Sequence, residues 1–130
     1  MTERSEKTAV VTGAARGIGL ATTRLFLDKG WQVAMVDIDG PELDKAAAEL
    51  PNVLAITADV SKPDQVVRIL REAEAAFPSI DALVNNAGVA HFGPIQETTF
   101  ERWRWVMDTN LDGPFLMTQA FTPKLAESRG

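Results

Sequence analysis

The sequence predicts an α/β protein: a doubly wound parallel sheet in three layers, α/β/α, with helices on both faces. Three observations carry this expectation. Four short, nearly continuous apolar runs are separated by longer stretches whose apolar residues recur at helical spacing. Three glycines, Gly13, Gly17 and Gly19, lie between the first run and the first helical stretch. The second run ends on an acid, Asp37. Alternating strands and helices join into parallel pairs by right-handed crossovers, which yields the doubly wound form.

Each element follows from a local pattern. Thr8–Thr12 (TAVVT) is rich in β-branched residues and lacks clear period-2 alternation, as expected of a parallel strand covered on both faces. Ile18, Ala21 and Leu25 form a first helical stripe, and Gly30 ends that helix. Gln32–Asp37 (QVAMVD) is the second strand, followed by the stripe Leu43, Ala46/Ala47, Leu50. Residues 53–58 (VLAITA) form the third strand. Ser61 and Pro63 then mark the start of a third helix with the stripe Val66, Leu70, Ala73, Phe77. Residues 81–86 (DALVNN) form the fourth strand, and two separate helices follow, about 98–109 and 114–128. Residues 1–130 thus read as one domain of four strands and five helices, with residues 1–7 as a flexible tail.

Composition narrows the partners. The 130 residues suffice for one domain. With 13 basic against 18 acidic residues and a net charge of -5, nucleic acid is not expected as a partner. A small anion still fits, because backbone amides bind it without net positive charge. There is no cysteine, which excludes disulfides and thiolate metal sites, and no metal is expected. Charges interrupt every apolar stretch before membrane-spanning length, and the opening MTERSEK is not a secretory signal. The default location is the cytoplasm.

The glycine cluster allows two readings. Glycine lets a chain turn tightly and lets a pyrophosphate approach helix amides without meeting a Cβ. The spacing G-x-x-x-G-x-G departs from the general dinucleotide fingerprint, so alone it fits a structural turn equally well. Asp37 favours the ligand reading. It ends the second strand eighteen residues after Gly19, where a carboxylate accepts hydrogen bonds from adenosine ribose hydroxyls. Asp39, in the same loop, is the less favoured acid because it lies beyond the strand end.

Five segments in order, TGAARGIG, VDID, ADVS, NNAG and MDTNLDGPF, resemble the short-chain dehydrogenase/reductase family. The resemblance covers nearly the whole chain. It implies a Rossmann-like fold and hydride transfer between NAD, or NADP, and an alcohol or carbonyl substrate. It also implies a homo-oligomer, dimer or tetramer. By resemblance, Thr12, Gly13, Arg16, Gly17, Ile18 and Gly19 wrap the pyrophosphate, and Asp37 and Ile38 flank the ribose. Asp59 and Val60 then hold the adenine, while Asn86, Ala87 and Gly88 wall the adenosine. Asn110 resembles an active-site asparagine that holds a relay water. Simpler roles remain open: Asp59 as a helix-capping acid, Asn110 as a residue satisfying backbone groups at a helix junction. Asp37 points to NAD over NADP, with Arg16 as the dissenting residue. His91, the only histidine, reads as a surface or rim residue, and of Trp103 and Trp105 one is expected to pack inward.

The family's proton donor is a tyrosine with a lysine four residues later, assisted by a serine. This chain contains no tyrosine. It is therefore expected to be inactive alone, as the cofactor-binding part of a longer enzyme whose frame continues into a fifth strand and the missing residues. A stand-alone, non-catalytic nucleotide-binding module is the alternative. An unpaired edge at 81–86 and the apolar residues Leu111, Phe115, Leu116, Phe121 and Leu125 favour the first.

Overall fold

The computed structural model describes residues 6–130. It contains strands β1 (Thr8–Thr12), β2 (Gln32–Asp37), β3 (Val53–Thr57) and β4 (Ala82–Val84), all parallel, in the order β3-β2-β1-β4. Helices α1 (Gly17–Asp28), α2 (Gly40–Ala48), α3 (Pro63–Ala76), α4 (Phe100–Met107) and α5 (Gly113–Ser128) connect and follow them. The chain steps outward from β1 to β3, then returns to place β4 on the other side of β1. Such a reversal opens a crevice at the carboxyl ends of the strands.

Side chains alternate across the sheet and both faces are covered. Val10, Ala34, Val36 and Ile56 point to one side, buried with Val66, Ile69 and Ala73 of α3 and Met117 and Phe121 of α5. Ala9, Val11, Val33 and Met35 point to the other, against Leu43 of α2 and the half-buried Leu20, Phe26 and Leu27 of α1. Two apolar faces per strand explain why alternation was invisible in the sequence. This is the expected three-layer, Rossmann-like architecture.

Several local expectations are corrected. The stripe assigned to α1 faces solvent, with Ile18 77% and Leu25 59% exposed. The packed face instead runs through Gly19 and Thr23, both buried, because Gly19 is pressed against the loop after β1. The last two helices are not separate: a five-residue π-helical segment, Asp108–Asp112, joins α4 to α5, with Gly113 N donating to Asp108 O. The sequence reading leaves residues 110–113 between two helices. Yet proline is tolerated at the first turn of a helix, and a π turn absorbs the extra residue. Ser61 does not cap α3; Lys62 is the N-cap, without a side-chain bond. Neither Trp103 nor Trp105 packs inward, both being exposed.

The tail expected over 1–7 falls outside the described residues for 1–5. Glu6 and Lys7 are not a free tail. Lys7 O accepts from Gln32 N (2.8 Å), Glu6 accepts from the Gln32 side-chain amide, and the Lys7 ammonium lies 5.6 Å from the Trp31 ring centre. Among the described residues no helix is long and apolar enough to cross a membrane.

Candidate functional site

At the carboxyl end of β1 the chain makes a turn that neighbouring strands hold in place. Ala14 N donates to Val36 O and Ala15 N to the Asp37 carboxylate, each at 3.0 Å. Gly13 (φ +65°) and Gly17 (φ +59°) adopt left-handed backbone that a side chain would strain. A Cβ on Gly19 would lie 2.0 Å from Gly13 O, whereas one on Gly17 would meet nothing within 4 Å. The glycines thus differ in purpose: Gly19 permits close packing, and Gly17 leaves open space at the start of α1. That helix begins with no side-chain cap and no acid in its first turn. Its leading amides, Gly17 to Gly19, have no acceptor within the helix and carry the positive end of its dipole, a setting suited to an anion.

The carboxylate of Asp37 is fixed from two sides. Oδ2 accepts from Ala15 N and Oδ1 from Asp39 N, both at 3.0 Å. A carboxylate offers about four lone-pair positions, so each oxygen keeps capacity for a hydroxyl donor. Beside it, the Arg16 guanidinium pairs with Asp39 Oδ2 at 2.5 Å, while Asp39 Oδ1 caps α2 through Glu42 N at 3.2 Å. The hydrogen bond from Arg16, then that from the Glu42 amide, holds the Asp39 carboxyl below the usual carboxylate range. The same bond raises the Arg16 pKa. A carboxyl depressed on folding stabilises the fold fully above its unfolded pKa, and that contribution is lost as pH falls from there through the lower folded value.

β4 ends where its chain turns onto β1. The Thr12 hydroxyl accepts from both Asn86 N and Ala87 N at 2.9 Å, and the Asn86 side-chain amide donates to Thr12 O (3.1 Å) and Gly13 O (3.2 Å). Thr12 is buried and lies behind the site, where it orders the Asn86–Gly88 wall. Replacing it with valine keeps shape but strips both amides of their acceptor. Thr12→Val is expected to cost about 2 kcal/mol or more, at about one to three for each of the two orphaned amides. A urea midpoint equal to that of the unaltered protein would refute this. Asn110 lies in the π segment and clasps Val89, accepting from Val89 N (2.8 Å) and donating to Val89 O (2.7 Å). The backbone-satisfying role is therefore present. Its own carbonyl precedes Pro114 by four residues, and proline has no amide for the usual helical bond.

These elements enclose a cavity of about 820 Å³. Gly13 and Arg16 line it from the loop, Asp37 and Ile38 from the end of β2, and Asp59 and Val60 from beyond β3. Asn86, Ala87 and Gly88 complete the wall beside β4. Thr12, Gly17, Ile18, Gly19 and Asn110 are outside the lining; Gly17 and Ile18 are exposed at the start of α1. Asp59 Oδ1 accepts from Ser61 N (2.9 Å) and Ser61 Oγ (2.7 Å), a local turn rather than a helix cap. Oδ2 has no protein partner among the described residues. His91 is exposed, as expected of a rim residue.

Two features escaped the sequence reading. Asp39 is a cap and an ion-pair partner, and the pattern Asp39-x-x-Glu42 ahead of an apolar stripe was a legible sign of the cap. Phe100, Arg104, Trp105, Asp108 and Thr109 also line the cavity. They come from a helix far along the chain, and no local pattern assigns it to this crevice.

A sheet reversing at β1, an open helix N-terminus and a pinned strand-end acid define an α/β domain of the Rossmann-like class. The short chain dehydrogenase family model matches residues 7–130. The chain belongs to the short-chain dehydrogenase/reductase family. It is 38% identical over 127 residues to an NAD-dependent glycerol dehydrogenase of Listeria innocua serovar 6a, covering 97% of this chain and 50% of the relative. It is 42% identical over 129 residues to a 1-deoxy-11-beta-hydroxypentalenate dehydrogenase of Streptomyces arenae, covering 93% and 45%. The crystal structure of a Brucella melitensis 3-ketoacyl-(acyl-carrier-protein) reductase complexed with NADH superposes with a TM-score of 0.90 at 32% identity, covering 93% and 51%. The chain spans about half the length of these relatives.

Proposed function

We propose that this chain is the NAD-binding part of an oxidoreductase acting on an alcohol or carbonyl substrate. The single observation that carries the reading is the Asp37 carboxylate, held by two backbone amides at the cavity edge, beside the uncapped start of α1. The donor set fits a dinucleotide. The amides of Gly17 to Gly19 suit a pyrophosphate, the remaining lone pairs of Asp37 suit the ribose hydroxyls, and Asp59 Oδ2 suits an amino group on adenine. Ile38 and Val60 supply apolar surface on either side, and Asn86, Ala87 and Gly88 the facing wall. When bound, the nicotinamide accepts or supplies hydride. Asn110, by clasping Val89, holds the loop after β4 in register with the π segment, and its carbonyl suits a water on a proton path.

Asp37 favours NAD, since a carboxylate at the ribose repels a 2′-phosphate. The exposed Leu111 and Phe115 support self-association as a dimer or tetramer, and we place the protein in the cytoplasm. The chain by itself is proposed to turn nothing over, because it has no tyrosine to exchange the hydroxyl proton. Calorimetric titration with NAD and with NADP, followed by incubation with NADH and a carbonyl panel, tests these statements. The expected result is one NAD site per chain, tighter than for NADP, without turnover. An absence of binding to either nucleotide overturns the cofactor reading, and sustained turnover overturns the inactivity. The absence of tyrosine also supports a second reading, a non-catalytic nucleotide-binding module, which the same titration leaves standing while turnover removes it.

A further inference from the structure

We propose that Asp39 helps to set the cofactor preference, by holding the Arg16 guanidinium away from the position a ribose 2′-phosphate would occupy. The inference rests on the reading of the cavity as a dinucleotide site with the ribose at Asp37. Arg16 lines that end of the cavity and carries the cation best shaped to grip a phosphate, a planar fork of donors. Its guanidinium is committed elsewhere, at 2.5 Å from Asp39 Oδ2.

Asp39 is placed by three independent bonds. Its amide donates to Asp37 Oδ1 (3.0 Å), its Oδ1 accepts from Glu42 N (3.2 Å), and its Oδ2 takes Arg16. Because its other oxygen caps α2, the carboxylate cannot follow Arg16 toward a ligand without uncapping the helix. The pair is solvent-exposed, with side chains 62% and 39% accessible, so it contributes little to stability. Its consequence is positional and electrostatic. Asp37, Asp39 and Arg16 together leave this end of the cavity with a charge of about -1, which opposes a phosphate. Asp39 is thus a positioning residue that acts through Arg16.

Asp39→Asn separates this role from capping, since asparagine caps a helix as well as aspartate does. The free Arg16 should then reach a 2′-phosphate. Calorimetry is expected to show NADP binding tightened about tenfold relative to NAD, the size of one charge-assisted hydrogen bond gained. Asp39→Glu keeps the charge and should keep the original NADP to NAD ratio despite a poorer cap. The double variant Arg16→Ala/Asp39→Asn, which restores the original local charge, should lose the gain. Circular dichroism melts check that each variant is folded. An unchanged ratio in a folded Asp39→Asn that still binds NAD overturns the proposal and leaves the cofactor reading intact. The same gain in the double variant also overturns it, because Arg16 would then play no part. Failure of the unaltered protein to bind either nucleotide overturns both.

Discussion

Gly19→Ala is expected to destabilise the fold by about 3 kcal/mol or more, the upper range for forcing extra atoms into a packed contact. The added Cβ would lie 2.0 Å from Gly13 O and 2.7 Å from Asn86 Nδ2. Neither neighbour can withdraw freely. Gly13 O already accepts from Asn86 Nδ2, and the same amide donates to Thr12 O. Relief requires lifting α1 off the turn, which opens the packing of Leu20, Phe26 and Leu27 against the sheet. Gly17→Ala is the matched control. Its Cβ meets nothing, so its cost is limited to strain at φ +59°, about 1 kcal/mol. Urea unfolding of the two variants measures the difference; equal midpoints would show that close approach at Gly19 is not what demands glycine.

Asp37→Ala should weaken NAD binding about a hundredfold. Two hydrogen bonds between a carboxylate and the ribose hydroxyls, at about 1.5 kcal/mol each, amount to about 3 kcal/mol, and 1.4 kcal/mol is a factor of ten. NADP should lose far less, because it has no 2′-hydroxyl to donate and a repelling charge has gone. The amides of Ala15, which is buried, and of Asp39 lose their acceptor too, so a loss of stability is expected beside the loss of affinity. Thermal melts of the variant separate that loss from the change in affinity. Paired titrations with NAD and NADP decide it, and parallel losses for both nucleotides would mean that Asp37 supports only the loop.

Much of this was legible because the chemistry is local. β1 and β2 were readable to the residue, since a strand buried on both faces is a continuous apolar run. Gly13, Gly17 and Asp37 stood out because few residue types serve a left-handed turn or a strand-end acid. The reading of α1 failed where a long-range contact overrode periodicity. Ile18, Ala21 and Leu25 form a valid helical stripe, yet the face beneath Gly19 is the one that packs, because only there does the helix fit against Gly13. The gap read over residues 110–113 failed for a related reason: a π turn, stabilised by the clasp of Asn110 on Val89, carries the helix through.

The sequence by itself determined the fold class, the order of its elements and the family, because these depend on apolar patterning, glycine placement and acids at strand ends. Tertiary structure alone decided which groups meet at the crevice. It turned Thr12 inward to hold Asn86 and Ala87, drew the Arg16 guanidinium to Asp39, and brought α4 to close the cavity. The physical reason is that hydrogen bonds and ion pairs form between groups distant in sequence, and their partners are chosen by the sheet order β3-β2-β1-β4. No local pattern encodes that choice.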